Sequence, residues 1–283
     1  MAVRVVTDST AYLSPGLVHE LGITVVPFRV QIDGETYLDG IDLDEDTFNR
    51  LVYEQGKTST TSSPTVDDFV RVYNELNQQT GEIIVILVSG TLSQACDHAR
   101  QATDMFLGRC QIEVIDSKTV SVGLGILAET AARAAIRGRP LDEIVRIVRG
   151  VVPQIYVVFF SDTLTYLENG GRIGHAQALL GTILGIKPFL TLEEGEIMPI
   201  EKVRTREQAL EKLIEFVVEF DAIKQLAIVK GTSEPDEETD LVVDRLHATF
   251  PDIDVPVLSY GPVLASHIGP DTMGIIVYES YDT

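Results

Sequence analysis

Apolar residues in the first half of the chain fall in short continuous runs, each followed by a polar turn and then a stretch of helical periodicity. Val3 to Val6, Ile83 to Val88 and Ile112 to Ile115 are unbroken rather than alternating. That is the pattern of strands covered on both faces, as in a parallel sheet. The first run ends in Thr7-Asp8-Ser9-Thr10. Ser14-Pro15 then opens a helix with proline at its first position, and Gly22 closes it. Ile23 to Ile32 reads as the next strand, and Thr65 stands three residues before Asp68 in the register of a capping box. A later helix runs to Arg137 and stops at Gly138, and another starts after Pro140. Strand, helix and strand in repeated alternation predict a mainly parallel α/β sheet flanked by helices.

Near Gly150 the pattern changes. Ile155 to Phe160 is strongly apolar, and Leu164 to Leu167 follows as a short helical piece. Leu179 to Ile186 mixes leucine and isoleucine with small residues. Phe189 to Val203 has the form of a hairpin turning at Glu194-Gly195-Glu196. Thr205 and Gln208 open a helix bearing Leu210, Leu213, Ile214, Val217 and Val218. A further strand at Leu226 to Val229, a helix from Ser233 to Thr249, and strands at Val255 to Leu258 and Met273 to Tyr278 complete this half. The expected organisation is an α/β protein of two α/β domains. Residues 1–150 carry the mainly parallel sheet, and residues 151–283 carry a mixed sheet with helices.

Charge narrows the partners. The 283 residues carry a net charge of −21, with 45% hydrophobic and 23% charged residues. That net charge argues against nucleic acid or anionic membrane as a partner. No apolar run approaches the roughly 20 residues that span a bilayer, so stable membrane insertion is not expected. The amino-terminal residues lack a basic, cleavable leader and read as a first strand, from which a cytoplasmic protein is expected. Cys96 and Cys110 form neither a metal spacing nor a disulfide framework.

Candidate chemistry gathers where strands end. After Ile83 to Val88 comes Ser89-Gly90-Thr91-Leu92-Ser93-Gln94-Ala95, a hydroxyl-rich turn feeding a helix. A helix N-terminus carries partial positive charge and unsatisfied N–H donors, which suit a carboxylate or a phosphate. Ser93 capping its own helix is the competing reading. Lys57-Thr58-Ser59-Thr60-Thr61-Ser62-Ser63-Pro64-Thr65 is a second hydroxyl run before a helix, readable as polar loop or as ligand site. If both runs lie at one sheet end, their O–H groups can converge on one anion. Asp8, at a strand end, reads as a hydrogen-bonded turn residue; a phosphoryl-accepting role would want D-x-D, and the second position on is Thr10. Asp39, Asp42, Asp44 and Asp46 miss the calcium-loop spacing and read as a solvated helix start. Gly123 to Ala128 matches G-x-G-x-x-A, but seven residues separate it from the strand. Glycine for close helix packing explains it better than dinucleotide binding. No P-loop occurs, and no metal site is expected. His267 lies in a loop framed by Gly261-Pro262 and Gly269-Pro270.

Several separated motifs together resemble the DegV family, two-domain bacterial proteins that bind a long-chain fatty acid. They are Thr7-Asp8-Ser9, Thr61-Ser62-Ser63-Pro64-Thr65, and Asp116-Ser117-Lys118 leading to Gly123 and Gly125. Leu167 to Ile173 (LENGGRI), Ile186-Lys187-Pro188, and Gly261 to Pro270 with His267 extend the likeness over essentially the whole length. Two positions depart from the family pattern. Ser63 stands where the family usually has Gln, and Gln94 where it usually has Gly after the liganding serine. The resemblance implies that the Thr61 and Ser93 hydroxyls hold a fatty acid carboxylate, with Ser62, Gln94 and His267 beside them. It places the head group in the first domain and the tail in the second, in a slot lined by Leu164, Leu179, Leu180, Ile183 and Leu184. Palmitate, stearate or oleate are the expected ligands, and no cofactor is implied. About fifteen buried methylenes at roughly 0.8 kcal/mol each give on the order of 12 kcal/mol gross, enough for tight binding after ordering costs.

In some family members the protein is the binding subunit of a fatty acid kinase. The resemblance then implies that a separate ATP-dependent catalytic subunit phosphorylates the presented carboxylate and that this chain is not itself the enzyme. Arg172, Arg204 and Arg206 are the candidates for docking that partner. The rival reading is a small-molecule hydrolase or phosphatase using Asp8, Ser93 and His267, although no G-x-S-x-G elbow is present. A lipid-responsive interaction protein without a kinase is the third.

Overall fold

The computed structural model describes residues 2–179, 185–234 and 236–280. The chain divides into two compact units, Met1–Pro153 and Gln154–Thr283.

The first unit contains strands β1 (Arg4–Asp8), β2 (Thr24–Val26), β3 (Arg29–Ile32), β4 (Glu35–Leu38), β5 (Ser59–Ser62), β6 (Glu82–Leu87) and β7 (Gln111–Asp116). Its helices are α1 (Pro15–Leu21), α2 (Glu45–Asn49), α3 (Val66–Asn77), α4 (Ala95–Thr103), α5 (Val122–Ile136) and α6 (Leu141–Val151). Strands β2-β1-β6-β7 form a sheet in that order, and every neighbouring pair in it is parallel. Ile83, Ile84, Val85, Ile86 and Leu87 are all fully buried. Consecutive buried residues require cover on both faces, as the unbroken apolar run predicts. That cover comes from helices α3 with α4 and α5 with α6, which pack in pairs against the sheet. Gly125 explains the glycine pair on α5, because a Cβ there would stand 2.8 Å from the Ala11 carbonyl oxygen.

The apolar stretch from Ile23 to Ile32 is not one strand. It breaks at Pro27-Phe28, so that Val26 pairs with Asp8 in the parallel sheet while Arg29 starts β3 in another. Proline cannot donate to a ladder, which makes it a natural switch point between sheets. The second sheet, in order β4-β3-β5, is antiparallel. Its third strand is the Ser59–Ser62 hydroxyl run, which sequence alone presents as loop because nothing in it is apolar.

The second unit contains β8 (Ile155–Phe160), β9 (Lys187–Glu193), β10 (Glu196–Val203), β11 (Ile223–Lys230), β12 (Val257–Ser259) and β13 (Met273–Glu279). Helices α7 (Thr165–Asn169), α8 (Arg206–Val218), α9 (Glu237–Thr249) and α10 (Pro262–Ile268) accompany them. The sheet runs β10-β9-β8-β13-β11-β12 and is mixed: β11 and β12 are parallel, and the other neighbours are antiparallel. The hairpin turns at Glu194 (φ 50°) and Gly195 (φ 86°), the two left-handed positions of a type I′ turn. The core joins Val158 and Phe160 to Leu213 and Val217 of α8, Leu246 of α9, and Ile275 and Val277 of β13. The stretch read as a glycine- and proline-framed loop is mostly helix. Pro262 occupies the first turn of α10, and Gly269 at φ 76° ends it.

Candidate functional site

In the first unit, the strand-to-helix turn after β6 is held from three sides. The Val88 N–H donates to Asp8 Oδ2 at 2.8 Å, the Ser89 N–H to the Thr119 carbonyl at 2.9 Å, and the Gly90 N–H to Asp116 Oδ1 at 3.1 Å. Ser89 is fully buried, and its hydroxyl lies 2.9 Å from that of Thr91 inside the turn. Ser93 is only half-buried. Its Oγ accepts from the Ala95 N–H at 3.2 Å, which occupies a lone pair and leaves the O–H hydrogen as a donor. Capping and ligand binding are therefore compatible roles for Ser93. Gln94, the N-cap of α4, is exposed and makes no capping bond through its side chain.

The second hydroxyl run reaches the same helix. Thr61 in β5 pairs with Val30 and is half-buried, while Ser62 pairs with Arg29 and is exposed. Just beyond, Ser63 Oγ lies 3.4 Å from His98 Nδ1, and the same nitrogen is 2.8 Å from the Pro64 carbonyl oxygen. His98 is on the first turn of α4, so it fastens the end of one hydroxyl run to the start of the helix that follows the other. Serine at position 63, where the family usually has glutamine, is thus in contact with α4. Thr65 then caps α3 in a full capping box with Asp68, and Asp68 is paired with Arg29 at 2.8 Å.

Asp8 is completely buried, with Oδ1 accepting from the Thr10 N–H at 2.9 Å and the Thr10 hydroxyl at 2.6 Å. Burial pushes its carboxyl up to about 6 against the pull of these bonds. A carboxylate so enclosed and so committed offers no exposed oxygen for nucleophilic attack, which removes it from the phosphatase reading. Asp39 departs from the picture of a solvated acidic start: it is 3% exposed. Its carboxyl is pushed up to about 7, first by burial and further by the charges of Asp8 and Glu45, while a bond from Ser9 works the other way. Asp44 does behave as expected and caps α2. Among the described residues, no group of three His, Cys, Asp or Glu side chains is placed to hold a metal ion.

In the second unit, α7 packs on α10, and this contact assembles two motifs that are far apart in sequence. Gly170 leaves room for the His267 ring: a Cβ there would overlap Nδ1 and stand 3.0 Å from Cε1. Arg172 folds back to donate to the Gly170 carbonyl at 2.6 Å. Burial, helped by the Arg172 charge, pulls His267 down to about 4, so its imidazole is neutral at pH 7. The helix end that carries it is fixed by Tyr260, whose hydroxyl donates to the Gly269 carbonyl at 2.6 Å, and by Thr272, whose hydroxyl donates to Ile268 O at 2.7 Å.

The three arginines singled out as docking candidates differ. Arg204 is exposed. Arg206 is engaged with Asp162 at 3.5 Å, Glu238 at 2.5 Å and the Asp271 carbonyl at 3.1 Å, and sits 5.1 Å above the Phe160 ring. Of the expected tail-slot residues, Leu164 is buried at the start of α7 and Leu179 ends a 3-10 segment. Leu180, Ile183 and Leu184 lie outside the described residues. Among the described residues, no helix is long and apolar enough to cross a membrane.

Comparison with known proteins shows the family and the fold. The family model described as "Uncharacterised protein, DegV family" matches residues 2–280. The chain belongs to the DegV family. A DegV domain-containing protein of Clostridium perfringens is 33% identical over 281 residues, covering 97% of this chain and 98% of the relative. The solved structure of a fatty acid binding DegV family protein from Thermus thermophilus superposes with a TM-score of 0.89 at 31% identity, over 99% of this chain and 100% of that one. Bacillus subtilis DegV, solved as a fatty acid binding protein, gives 0.88 at 29% identity, again over 99% and 100%. Both of these DegV structures are described as those of fatty acid binding proteins.

Proposed function

We propose that this DegV protein binds a long-chain fatty acid such as palmitate, stearate or oleate and holds its carboxylate with neutral donors. The observation that carries the reading is the start of α4, where the half-buried Ser93 accepts the Ala95 N–H on its Oγ, a bond that does not use its own O–H hydrogen. His98 ties the hydroxyl run containing Thr61 to that same helix. Hydroxyl and N–H donors at a helix end satisfy a carboxylate without burying a bare counter-charge, which would cost more than it returns. Ser62 and Gln94, both exposed beside these two groups, extend the donor set. His267, in the second unit, is a further candidate donor, its lowered pKa keeping the imidazole neutral at pH 7. The tail is assigned to the second unit, with the buried Leu164 as a lining residue. The fatty acid binding of the Thermus and Bacillus relatives supports the ligand class.

Denaturing extraction of the freshly purified protein, followed by mass spectrometry, tests this directly. A near-stoichiometric free fatty acid is expected, with Ser93→Ala and Thr61→Ala each reducing retention by tenfold or more, the worth of one charge-assisted hydrogen bond of about 1.5–3 kcal/mol. An empty protein that also ignores added palmitate and oleate overturns the proposal.

We further propose that the bound carboxylate is presented to a separate ATP-dependent kinase subunit, this chain supplying no catalysis. Arg204, exposed, suits such a contact better than Arg206, which is engaged within its own unit. Arg172 is a candidate through its place beside His267. Acyl phosphate formation that requires this chain, ATP and a co-purified kinase, and that falls with Arg204→Ala but not with Arg206→Lys, is the expected outcome.

A further inference from the structure

The buried acidic residues of the first unit occupy a particular place in its wiring. Asp8 takes the Val88 N–H, the last donor before the turn that leads to Ser93. The turn continues without slack, since the Leu92 and Ser93 N–H groups both donate to the Ser89 carbonyl at 3.0 and 3.1 Å. Ser9, which follows Asp8 in the chain, receives the Phe28 N–H on its Oγ at 3.1 Å, and its hydroxyl acts on the Asp39 carboxyl, pulling its pKa down. Asp39 closes this circuit by donating its own N–H to the Phe28 carbonyl at 3.0 Å. Phe28 immediately precedes β3, whose Arg29 and Val30 are the ladder partners of Ser62 and Thr61. One short segment, Asp8-Ser9-Thr10, therefore grips the Ser93 turn with one hand and the Thr61 strand with the other.

We infer that Asp8 and Asp39, bridged by Ser9, are positioning residues that set the spacing of the Thr61 and Ser93 donors for the fatty acid carboxylate. This inference rests on the head-group assignment proposed above. Neither residue touches the ligand; each acts through the backbone groups it holds. The wiring also accounts for two buried acids in a protein that has no metal cluster among its described residues. The charges that act on Asp39 are both acidic, Asp8 and Glu45. No cation is among the charges that act on the two carboxyls themselves, while Arg100 acts on the neighbouring Cys96 thiol and lowers it. The pair consequently favours retention of a proton, and its ionisation adds like charge to a buried circuit. Asp39 Oδ2 is buried without a hydrogen-bond partner among the described residues, as suits a carboxyl that is not fully charged.

Fatty acid affinity should accordingly depend on the charge of this pair. Isothermal titration of delipidated protein with palmitate across pH 6 to 8.5 reads it. For the wild type we expect affinity to fall by about fivefold or more as the pair ionises, the lower end of ordinary site-to-site coupling. Asp39→Asn, an isostere of the protonated acid, should bind at pH 6 like the wild type and lose that pH dependence. Asp8→Asn should weaken binding at every pH, because an amide cannot accept all three donors. If Asp8→Asn does not fold, Ser9→Ala substitutes for it, removing the bridge and leaving both acids. Amide exchange at Val88 and Phe28, read by NMR, should quicken in the weakened variants. Ser93→Ala is the reference. If it binds palmitate like the wild type, the head-group assignment falls and the positioning role falls with it. If Ser93→Ala is weak while Asp39→Asn keeps the wild-type pH profile and Ser9→Ala the wild-type affinity, the assignment stands and the positioning role alone is overturned.

Discussion

Gly170→Ala is a perturbation whose sign decides whether the packing of α7 on α10 is as described. Gly170 has φ −77° and ψ −7°, a helical conformation that alanine adopts without strain. On backbone grounds alone, the substitution should stabilise by about 0.4–1 kcal/mol, through a less flexible unfolded chain. The new Cβ would instead overlap Nδ1 of His267 and press on the Tyr166 carbonyl at 3.1 Å. The His267 ring sits on a helix whose end is fixed by Tyr260 and Thr272, so relief must come from moving the ring off its seat. Overpacking of this kind costs about 1–3 kcal/mol. At about 2–4 °C per kcal/mol the expected fall in Tm is roughly 2–12 °C. Differential scanning calorimetry measures it, and palmitate titration of the same variant should show weaker binding because the imidazole is displaced. His267→Ala removes the obstacle. In the double variant Gly170→Ala/His267→Ala, the alanine should again be neutral or stabilising, giving a coupling of about 1–3 kcal/mol between the two sites. A Gly170→Ala protein as stable as the wild type, or a strictly additive double variant, refutes the reasoning.

Three further outcomes follow from single groups. Asp39 releases its proton near 3.8 in the unfolded chain but near 7 when folded. The folded state therefore holds the extra proton between those values, and stability falls as pH rises from about 4 to 7, by at most roughly 4 kcal/mol. Urea titrations of wild type and Asp39→Asn at pH 5 and pH 8 should show a smaller loss in the variant. Gly125→Ala forces a Cβ to 2.8 Å from the Ala11 carbonyl oxygen and 3.2 Å from Leu13 Cδ2, so chemical denaturation should report a loss of about 1–3 kcal/mol. Ser121 holds φ 59° and ψ −139° at the start of α5, a region natural to glycine, and its buried Oγ finds no partner among the described residues. Ser121→Gly should raise stability by about 1 kcal/mol, the strain relieved less the entropy glycine brings; a lower Tm would refute the strain.

The parallel sheet was legible because its strands are apolar on both faces, which leaves a run such as Ile83 to Val88 no other comfortable environment. The caps were legible for a different reason: Ser14, Thr65 and Thr205 act on N–H groups three residues ahead, within reach of local reading. What escaped is what depends on partners distant in sequence. Ser59–Ser62 is a strand only because Arg29–Ile32 lies beside it, and its own residues give no apolar alternation. Ile23 to Ile32 looks continuous because hydropathy does not register that Pro27 moves the chain from one sheet to another. The family likeness picked out Gly170 and His267 separately, but their contact becomes visible only when α7 and α10 are packed.

The same distinction separates the residues assigned to the ligand from those that support them. Hydroxyls near a helix start advertise themselves in sequence, because their chemistry matches a carboxylate. A buried acid does not, since Asp39 among Asp42, Asp44 and Asp46 looks like one more solvated carboxylate. Its buried place depends on contacts distant in sequence, its N–H donating to the Phe28 carbonyl eleven residues back. On a chain with a net charge of −21, an anionic ligand gains nothing from long-range attraction and must rely on donors placed at close range. Such donors lose their value when misplaced by an ångström, because hydrogen bonds weaken steeply with distance and angle. A carboxylate site of this kind therefore needs rigid backbone behind it more than it needs charge in front. Asp8, Asp116 and the Thr119 carbonyl, which fix three successive N–H groups of the turn before Ser93, are where that rigidity resides.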